Sequence, residues 1–357
     1  MSTVTETRTL DVIRCVGAPL ERGTQIGETL RQKIEEGVGS WLETIGQVHR
    51  IDPDAYVDEF LHETHHREMV RRFAPGLYRE VEGMAAGSGQ RVERLFAYSM
   101  LDEEWWYSTS RRGEEAPGCT AVGVRSDGSR PTLIGQTMDI PSVHDGTQVV
   151  VIHEEPGAPT QVVFTAAGMV CLMGANSAGV GVVVNNLSVL PASSTGMPVT
   201  FIERLALGCR TADEAASRLE SIPHAIGQHY LIGDPDSLVS YEADASRVIS
   251  GAYEDRVVAH ANHPLYDPPA NPEFEVVYAA SATRERLACM IQLSEDAASL
   301  DDIERALQDT TAPISRAATT RFMTFGAMVA ELSSPPKVRC TAGPPHEHAF
   351  VEIELAS

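Results

Sequence analysis

Apolar residues recur at helical spacing over the first third of the chain, most clearly in residues 24–45, 56–60 and 77–84, which predicts a mainly helical beginning. Residues 108–118 read STSRRGEEAPG. Small, charged and rich in breakers, they are expected to form an exposed loop or linker. Directly afterwards the period shortens to that of strands, in residues 120–124, 132–138, 147–152, 161–164 and 180–185, each bounded by turn residues. Helical spacing returns over 198–219, with Thr211 as the expected N-cap ahead of Asp213 and Glu214. Strands are predicted at 229–233, 238–242, 256–261, 322–332, 337–340 and 350–355, and helices at 280–293 and 300–307. Antiparallel strands with helices between them make an α+β domain and not a βαβ winding.

At 357 residues, 43% of them hydrophobic and 22% charged, the chain has material for one large or two ordinary domains. A formal net charge of −22 repels phosphate backbones and anionic lipid heads, so nucleic-acid and membrane partners are not expected. A neutral or cationic small molecule fits better. The sequence lacks a signal-peptide pattern and a membrane-length apolar run, from which a cytoplasmic protein is expected. A homo-oligomer is compatible with this pattern. The six cysteines are far apart, without the paired spacing of a zinc or redox site, and neither a metal nor a cofactor is expected. His62, Glu63 and His66 formally match the H-E-x-x-H zinc motif on a predicted helix. No third ligand is marked, so a solvated helix face is the expectation.

Cys119 stands out because it directly follows Ala116-Pro117-Gly118 at the end of the linker, where solvent is expected to reach it. Its position alone is weak evidence. Five ordered segments add to it: GAPLERGTQIGETL at 17–30, EVEGMAAGSGQRVERL at 80–95, GCTAVGVRSDGSRPTLIGQTMDI at 118–140, GANSAGVGVVVNNL at 174–187 and AHANHPL at 259–265. Together they resemble the isopenicillin N acyltransferase family (acyl-coenzyme A:6-aminopenicillanic acid acyltransferase), a self-processing branch of the N-terminal-nucleophile cysteine hydrolases. That resemblance implies an αββα sandwich, two antiparallel sheets between helices, with residues 1–118 as a helical alpha chain and 119–357 as the beta-chain core after cleavage between Gly118 and Cys119. The two chains would stay together as one compact domain. Asp139 would lie beside the newly made amine, and Asn262 would stabilise the oxyanion. The chain departs from the fungal penicillin-forming members after Asp139, where Ile140 and Pro141 replace aromatic residues that help line the acyl pocket. This counts against a phenylacetyl-type pocket.

The chemistry has a reason to want an N-terminal cysteine. Its free α-amine, with a reference pKa of about 8, can act as the base for a thiol with a reference pKa of about 8.5, so one residue supplies nucleophile and base. Gly118 tolerates the strained backbone that attack on its carbonyl requires. Of the tandem Asn185 and Asn186, weak candidates for substrate contact, at most one can face a pocket, because successive strand residues point to opposite sides. The expected activity is hydrolysis of a linear amide through an acyl-enzyme thioester. Alternatives are an acyltransferase moving an acyl group to an amine, a Cys/His thiol hydrolase using His263 without self-cleavage, and a binding protein that has kept only the fold.

Overall fold

A computed structural model describes residues 8–109, 118–251 and 255–355. Most of the predicted linker, residues 110–117, lies outside them, as do residues 1–7. The strands in chain order are β1 (Asp11–Val16), β2 (Thr120–Val124), β3 (Leu133–Pro141), β4 (Gln148–Glu154), β5 (Gln161–Ala166), β6 (Met173–Asn176), β7 (Gly181–Asn186), β8 (Gln228–Gly233), β9 (Leu238–Ala243), β10 (Val248–Ser250), β11 (Val257–His260), β12 (Phe322–Glu331), β13 (Lys337–Cys340) and β14 (Val351–Ile353). Among the described residues they form two sheets, ordered β1-β4-β5-β6-β7-β8-β9-β10 and β11-β2-β3-β12-β13-β14. Every pairing is antiparallel except that of β1 with β4.

The helices are α1 (Pro19–Thr29), α2 (Arg31–His49), α3 (Pro53–Glu63), α4 (His66–Phe73), α5 (Pro75–Ser88), α6 (Val92–Tyr98), α7 (Leu101–Thr109), α8 (Val199–Ala206), α9 (Ala212–Glu220), α10 (Phe274–Ala280), α11 (Thr283–Ser294) and α12 (Leu300–Leu307). The sheets face each other through β2, β3, β7 and β8, while α9 covers β8 and β9 from outside and α11 and α12 cover β2, β3, β11 and β12. This is the αββα layering expected, with apolar faces such as Phe164 and Phe325 meeting between the sheets. Gln136 of β3 ties the sheets together: its amide accepts from the Val184 N–H at 3.0 Å and donates to the Val184 carbonyl. The ladder between β6 and β7 reaches only Val182, so this side chain satisfies backbone that no strand pairs on that side.

Several expectations change. The stretch 24–45 is broken at Leu30 into α1 and α2, and 198–219 is two helices, of which the second is capped by Thr211 Oγ1 accepting from Glu214 N at 3.1 Å. The first part is not purely helical, because β1 adds an edge strand to the larger sheet. His62 closes α3 and His66 opens α4, so the H-E-x-x-H residues do not share one helix face. The His66 ring is buried, with Nδ1 2.8 Å from the Gly196 carbonyl. Among the described residues no group of three or more His, Cys, Asp or Glu side chains could hold a metal ion, and no helix is long and apolar enough to cross a membrane.

The two glycine-rich N-terminal segments pack on each other. A Cβ on Gly23 would lie 2.0 Å from the Glu80 carbonyl oxygen, and one on Gly87 2.3 Å from that of Thr24. Only glycine lets α1 and α5 approach so closely. The contact brings Arg22 of α1 onto Glu80 of α5, with Nε at 3.2 Å and Nη2 at 3.1 Å. Arg204 of α8 reaches the other carboxylate oxygen at 2.8 Å, which joins the helical beginning to the sandwich.

Candidate active site

Cys119 precedes β2, and Asp139 lies on the neighbouring β3, two residues beyond the Thr120–Thr137 pair. The turn of chain therefore sets the thiol beside the Asp139 backbone: Asp139 N–H donates to Sγ at 3.4 Å, and Sγ is 3.8 Å from the Asp139 carbonyl oxygen. Asp139 also pairs with Thr324 of β12, at the bulge that separates Thr324 from Gly326. The Thr324 hydroxyl donates to Asp139 Oδ1 at 2.6 Å. Asp139 Oδ2 has no hydrogen-bond partner among the described residues. Arg316 Nε is 3.3 Å from it, but that N–H is directed to the Pro313 carbonyl at 3.1 Å.

Asn262 follows β11, whose pairing with β2 sets His260 against Ala121. Arg286 of α11 connects it to the nucleophile. That guanidinium is fully buried and donates through Nη1 to the Cys119 carbonyl and, at 2.9 Å, to Thr120 Oγ1, through Nη2 to Asn262 Oδ1 at 2.8 Å, and through Nε to the Ser281 carbonyl at 3.1 Å. With its oxygen held by Arg286, the Asn262 amide must present its nitrogen on the other side. One N–H of Asn262 Nδ2 goes to the Asn186 carbonyl at 3.0 Å, and the second is left for a further acceptor. The structure thus brings Gly118, Cys119, Asp139 and Asn262 together. It adds Arg286, Arg316, Thr120 and Thr324, which the sequence reading did not assign.

The expected exposure of Cys119 is not found: the residue is only 6% exposed. Burial, reinforced by the Asp139 carboxylate, pushes its thiol up to about 12 in the continuous chain. Burial also raises Asp139, to about 6, although Arg316, Thr324 and Arg286 pull the other way. The space at Gly118 has a steric explanation: a Cβ there would lie 2.8 Å from Arg286 Nη2 and 3.4 Å from Arg316 Nη2. Glycine at this position admits both guanidinium groups.

Cys119, Asp139, Met138, Leu172, Val184 and Asn186 border a cavity of about 30 Å3, closed on its other side by Asp102 of α7 and Glu203 of α8. Asn186 is thus the one of the tandem pair that faces the nucleophile. Asn185 points instead to His229, with Oδ1 2.8 Å from the ring Nδ1. A larger cavity of about 290 Å3, lined by Trp41, Ile45, Trp105, Pro141 and Phe322, lies beside the first and shares Leu101 with it. No histidine is in hydrogen-bond contact with the thiol among the described residues. His263 is buried against Thr283, Nδ1 to Oγ1 2.9 Å, and desolvation lowers its pKa to about 4, which leaves the Cys/His alternative without a base in place.

The family model for acyl-coenzyme A:6-aminopenicillanic acid acyl-transferase matches residues 124–344, a span that begins just after Cys119 and includes Asp139 and Asn262. The 40 kDa form of acyl-coenzyme A:6-aminopenicillanic-acid-acyltransferase from Emericella nidulans is 26% identical over 219 residues, which cover 58% of this chain and 56% of that protein. The chain therefore matches a little over half the length of this curated relative. Among solved structures, a penicillin V acylase from Agrobacterium tumefaciens aligns at TM-score 0.43 and 12% identity, covering 66% of this chain and 86% of its own. A mutant conjugated bile acid hydrolase from Clostridium perfringens aligns at TM-score 0.41 and 12% identity, covering 67% and 97%.

Proposed function

Because the chain belongs to the acyl-coenzyme A:6-aminopenicillanic acid acyl-transferase family, we propose that it is a self-processing enzyme that cleaves a linear amide with Cys119 as an N-terminal nucleophile. The observation that carries this reading is the surroundings of Cys119: its thiol against the backbone of Asp139, whose Oδ2 has no hydrogen-bond partner among the described residues, and its carbonyl tied through Arg286 to the Asn262 amide. In maturation, Sγ bonds to the Gly118 carbonyl carbon, the bond to the Cys119 nitrogen breaks, and the thiol proton passes to that nitrogen, which leaves a thioester and a free α-amine. Water then hydrolyses the thioester to a Gly118 carboxylate and frees the thiol. Asp139 Oδ2, which has no hydrogen-bond partner among the described residues of the continuous chain, accepts a hydrogen bond from that amine in this reading.

In turnover the amine takes the thiol proton as Sγ bonds to the substrate carbonyl carbon, and returns it to the departing nitrogen as the C–N bond breaks. The second N–H of Asn262 meets the oxyanion, an interaction worth roughly 3 to 4 kcal/mol in comparable sites. Arg286 acts as a positioning residue. Water on the thioester completes hydrolysis, whereas an amine would complete acyl transfer. Transfer is the second reading, favoured by the family's and the relative's names. The larger cavity, with Trp41, Trp105 and Phe322, suits the apolar part of a small-molecule substrate.

Mass spectrometry of the expressed protein tests the first step. Fragments of 118 and 239 residues (357 − 118) that remain associated are expected, while Cys119→Ala stays one chain. An active wild-type protein that remains full length would remove self-processing. Turnover of N-acyl amino acids and small peptides with and without added hydroxylamine then tests the thioester that both readings share: hydroxamate in place of acid marks its capture.

A further inference from the structure

The cavity beside Cys119 has an unusual wall. Glu203 is only 1% exposed, yet its Oε1 has no hydrogen-bond partner, and no ion pair reaches it among the described residues. Its charged neighbours are Asp102 and Glu103, so burial and like charge together hold its carboxyl well above the usual range. Asp102 accepts from a neutral donor, Gln228 Nε2 at 2.5 Å. Asn186, which lines the same cavity, has a buried Oδ1 that no donor among the described residues reaches. Glu203, Asp102 and Asn186 therefore line one small cavity, and among the described residues no cation pairs with either of these two carboxyls.

A water molecule could satisfy an acceptor but would leave the carboxyls in their protonated, uncharged form. A metal ion is not served either, because among the described residues no set of three ligating side chains is assembled here. An organic cation answers both needs: its N–H groups match the acceptors and its charge ionises the carboxyls as an ion pair. We propose that this cavity binds a cationic group of the substrate, an alkylammonium or guanidinium carried close to the scissile carbonyl, with Glu203 and Asp102 as its counter-charges. This rests on the amide-cleaving reading above for its occupant, and it names the substrate class: amides with a basic acyl part. Glu203 and Asp102 are specificity residues and take no part in bond making.

The processed protein is tested with a short series of ω-aminoacyl p-nitroanilides of increasing chain length, each beside the alkanoyl anilide in which methyl replaces the ammonium. The best ω-aminoacyl member is expected to exceed its partner in kcat/KM by at least about tenfold, and Glu203→Gln should bring that ratio close to one. No preference for any member, or a preference that survives in Glu203→Gln, overturns the proposal. If no anilide is turned over, the amide-cleaving reading fails, and the cavity is judged by thiol chemistry alone. Cys119 modification by 2-aminoethyl and 2-sulfonatoethyl methanethiosulfonate is followed by mass spectrometry of its peptide. Relative to free cysteine, the cationic reagent should gain at least about tenfold, a preference of the size one ion pair provides, and lose most of it in Glu203→Gln. Asp102→Asn serves the same purpose should Glu203→Gln not fold. Equal rates, or a ratio unchanged by either variant, would sink the cation site.

Discussion

Two buried carboxylates, Glu80 and Glu203, lie at the same 1% exposure in this protein and are treated in opposite ways. Around Glu80 both carboxylate oxygens are bound: Arg22 and Arg204 reach them, the His153 ring, which burial holds down at about 3, stands 3.7 Å away, and the guanidinium groups hold the carboxyl down at about 2 despite its burial. Around Glu203 there is no cation among the described residues, and its neighbours Asp102 and Glu103 are acids, of which burial pushes Glu103 up to about 8. A saturated cluster holds α1, α5 and α8 in place. The unsaturated one borders the nucleophile, where Asp139 Oδ2 and Asn186 Oδ1 also lack hydrogen-bond partners among the described residues. Unmet hydrogen-bonding capacity is costly in a fold, and here it gathers beside Cys119.

The largest effect should come from the saturated side. Glu80→Gln leaves the buried Arg204 without its counter-charge and Arg22 with Glu155 alone, a change expected to cost roughly 3 to 5 kcal/mol. Urea unfolding at neutral pH measures it. A loss below about 1 kcal/mol would show that the cluster is not what holds the helices to the sandwich. Next in size is Asn262→Ala, whose loss should appear in rate: kcat lower by roughly 10² to 10³ with KM little changed, measured on cleaved protein. An unchanged kcat on such material removes Asn262 from the mechanism.

The two sides also differ in how far the sequence disclosed them. Periodicity gave β2, β13 and α12 to the residue, because a fully buried apolar run, an alternating one and a helical repeat are each clean signals when turn residues bound them. β1 was missed because it is an edge strand, exposed at most positions apart from Cys15, and its Asp11 and Arg14 read as loop. The reactive residues were legible through the Gly118-Cys119 junction and the segments around Asp139 and Asn262. Arg286 was not, since it sits beside Arg284 and Glu285 in what reads as a solvated turn of helix. A signal existed: Thr283, Arg286, Met290 and Ser294 share the buried face of α11, so Arg286 falls on an inward stripe. The exposure of Cys119 was misjudged because a breaker-rich stretch says where a loop runs and not what packs over its end. Glu203 could not have been singled out from sequence, because an acid on an amphipathic helix is ordinarily paired or solvated.

The smallest effect, and the one that tests the contrast most directly, is in the pH dependence of stability. Glu80 has a lowered pKa, so its stabilisation is present above the reference value of 4.5 and is lost as pH falls through about 2. Glu103 is the reverse: raised from 4.5 to about 8, it keeps its proton in the fold where the unfolded chain has lost it. Its contribution is therefore complete below pH 4.5 and is lost as pH rises through about 8. Between roughly pH 5.5 and pH 7 one such group tilts stability downward by about 2 kcal/mol. Glu103 also has a partner to lose, since its Oε1 accepts from Val199 N at 3.0 Å while Oε2 has none. Glu103→Gln keeps an acceptor for Val199 and removes the titration, so unfolding free energies across this interval should fall less steeply than in the wild type by about that amount. Glu80→Gln should lower stability across this whole interval and leave the slope as it is, since its own pH dependence lies in acid. If the Glu103→Gln and wild-type slopes coincide, Glu103 is ionised or solvated in the fold, and the acids around Glu203 are not the uncompensated cluster described above.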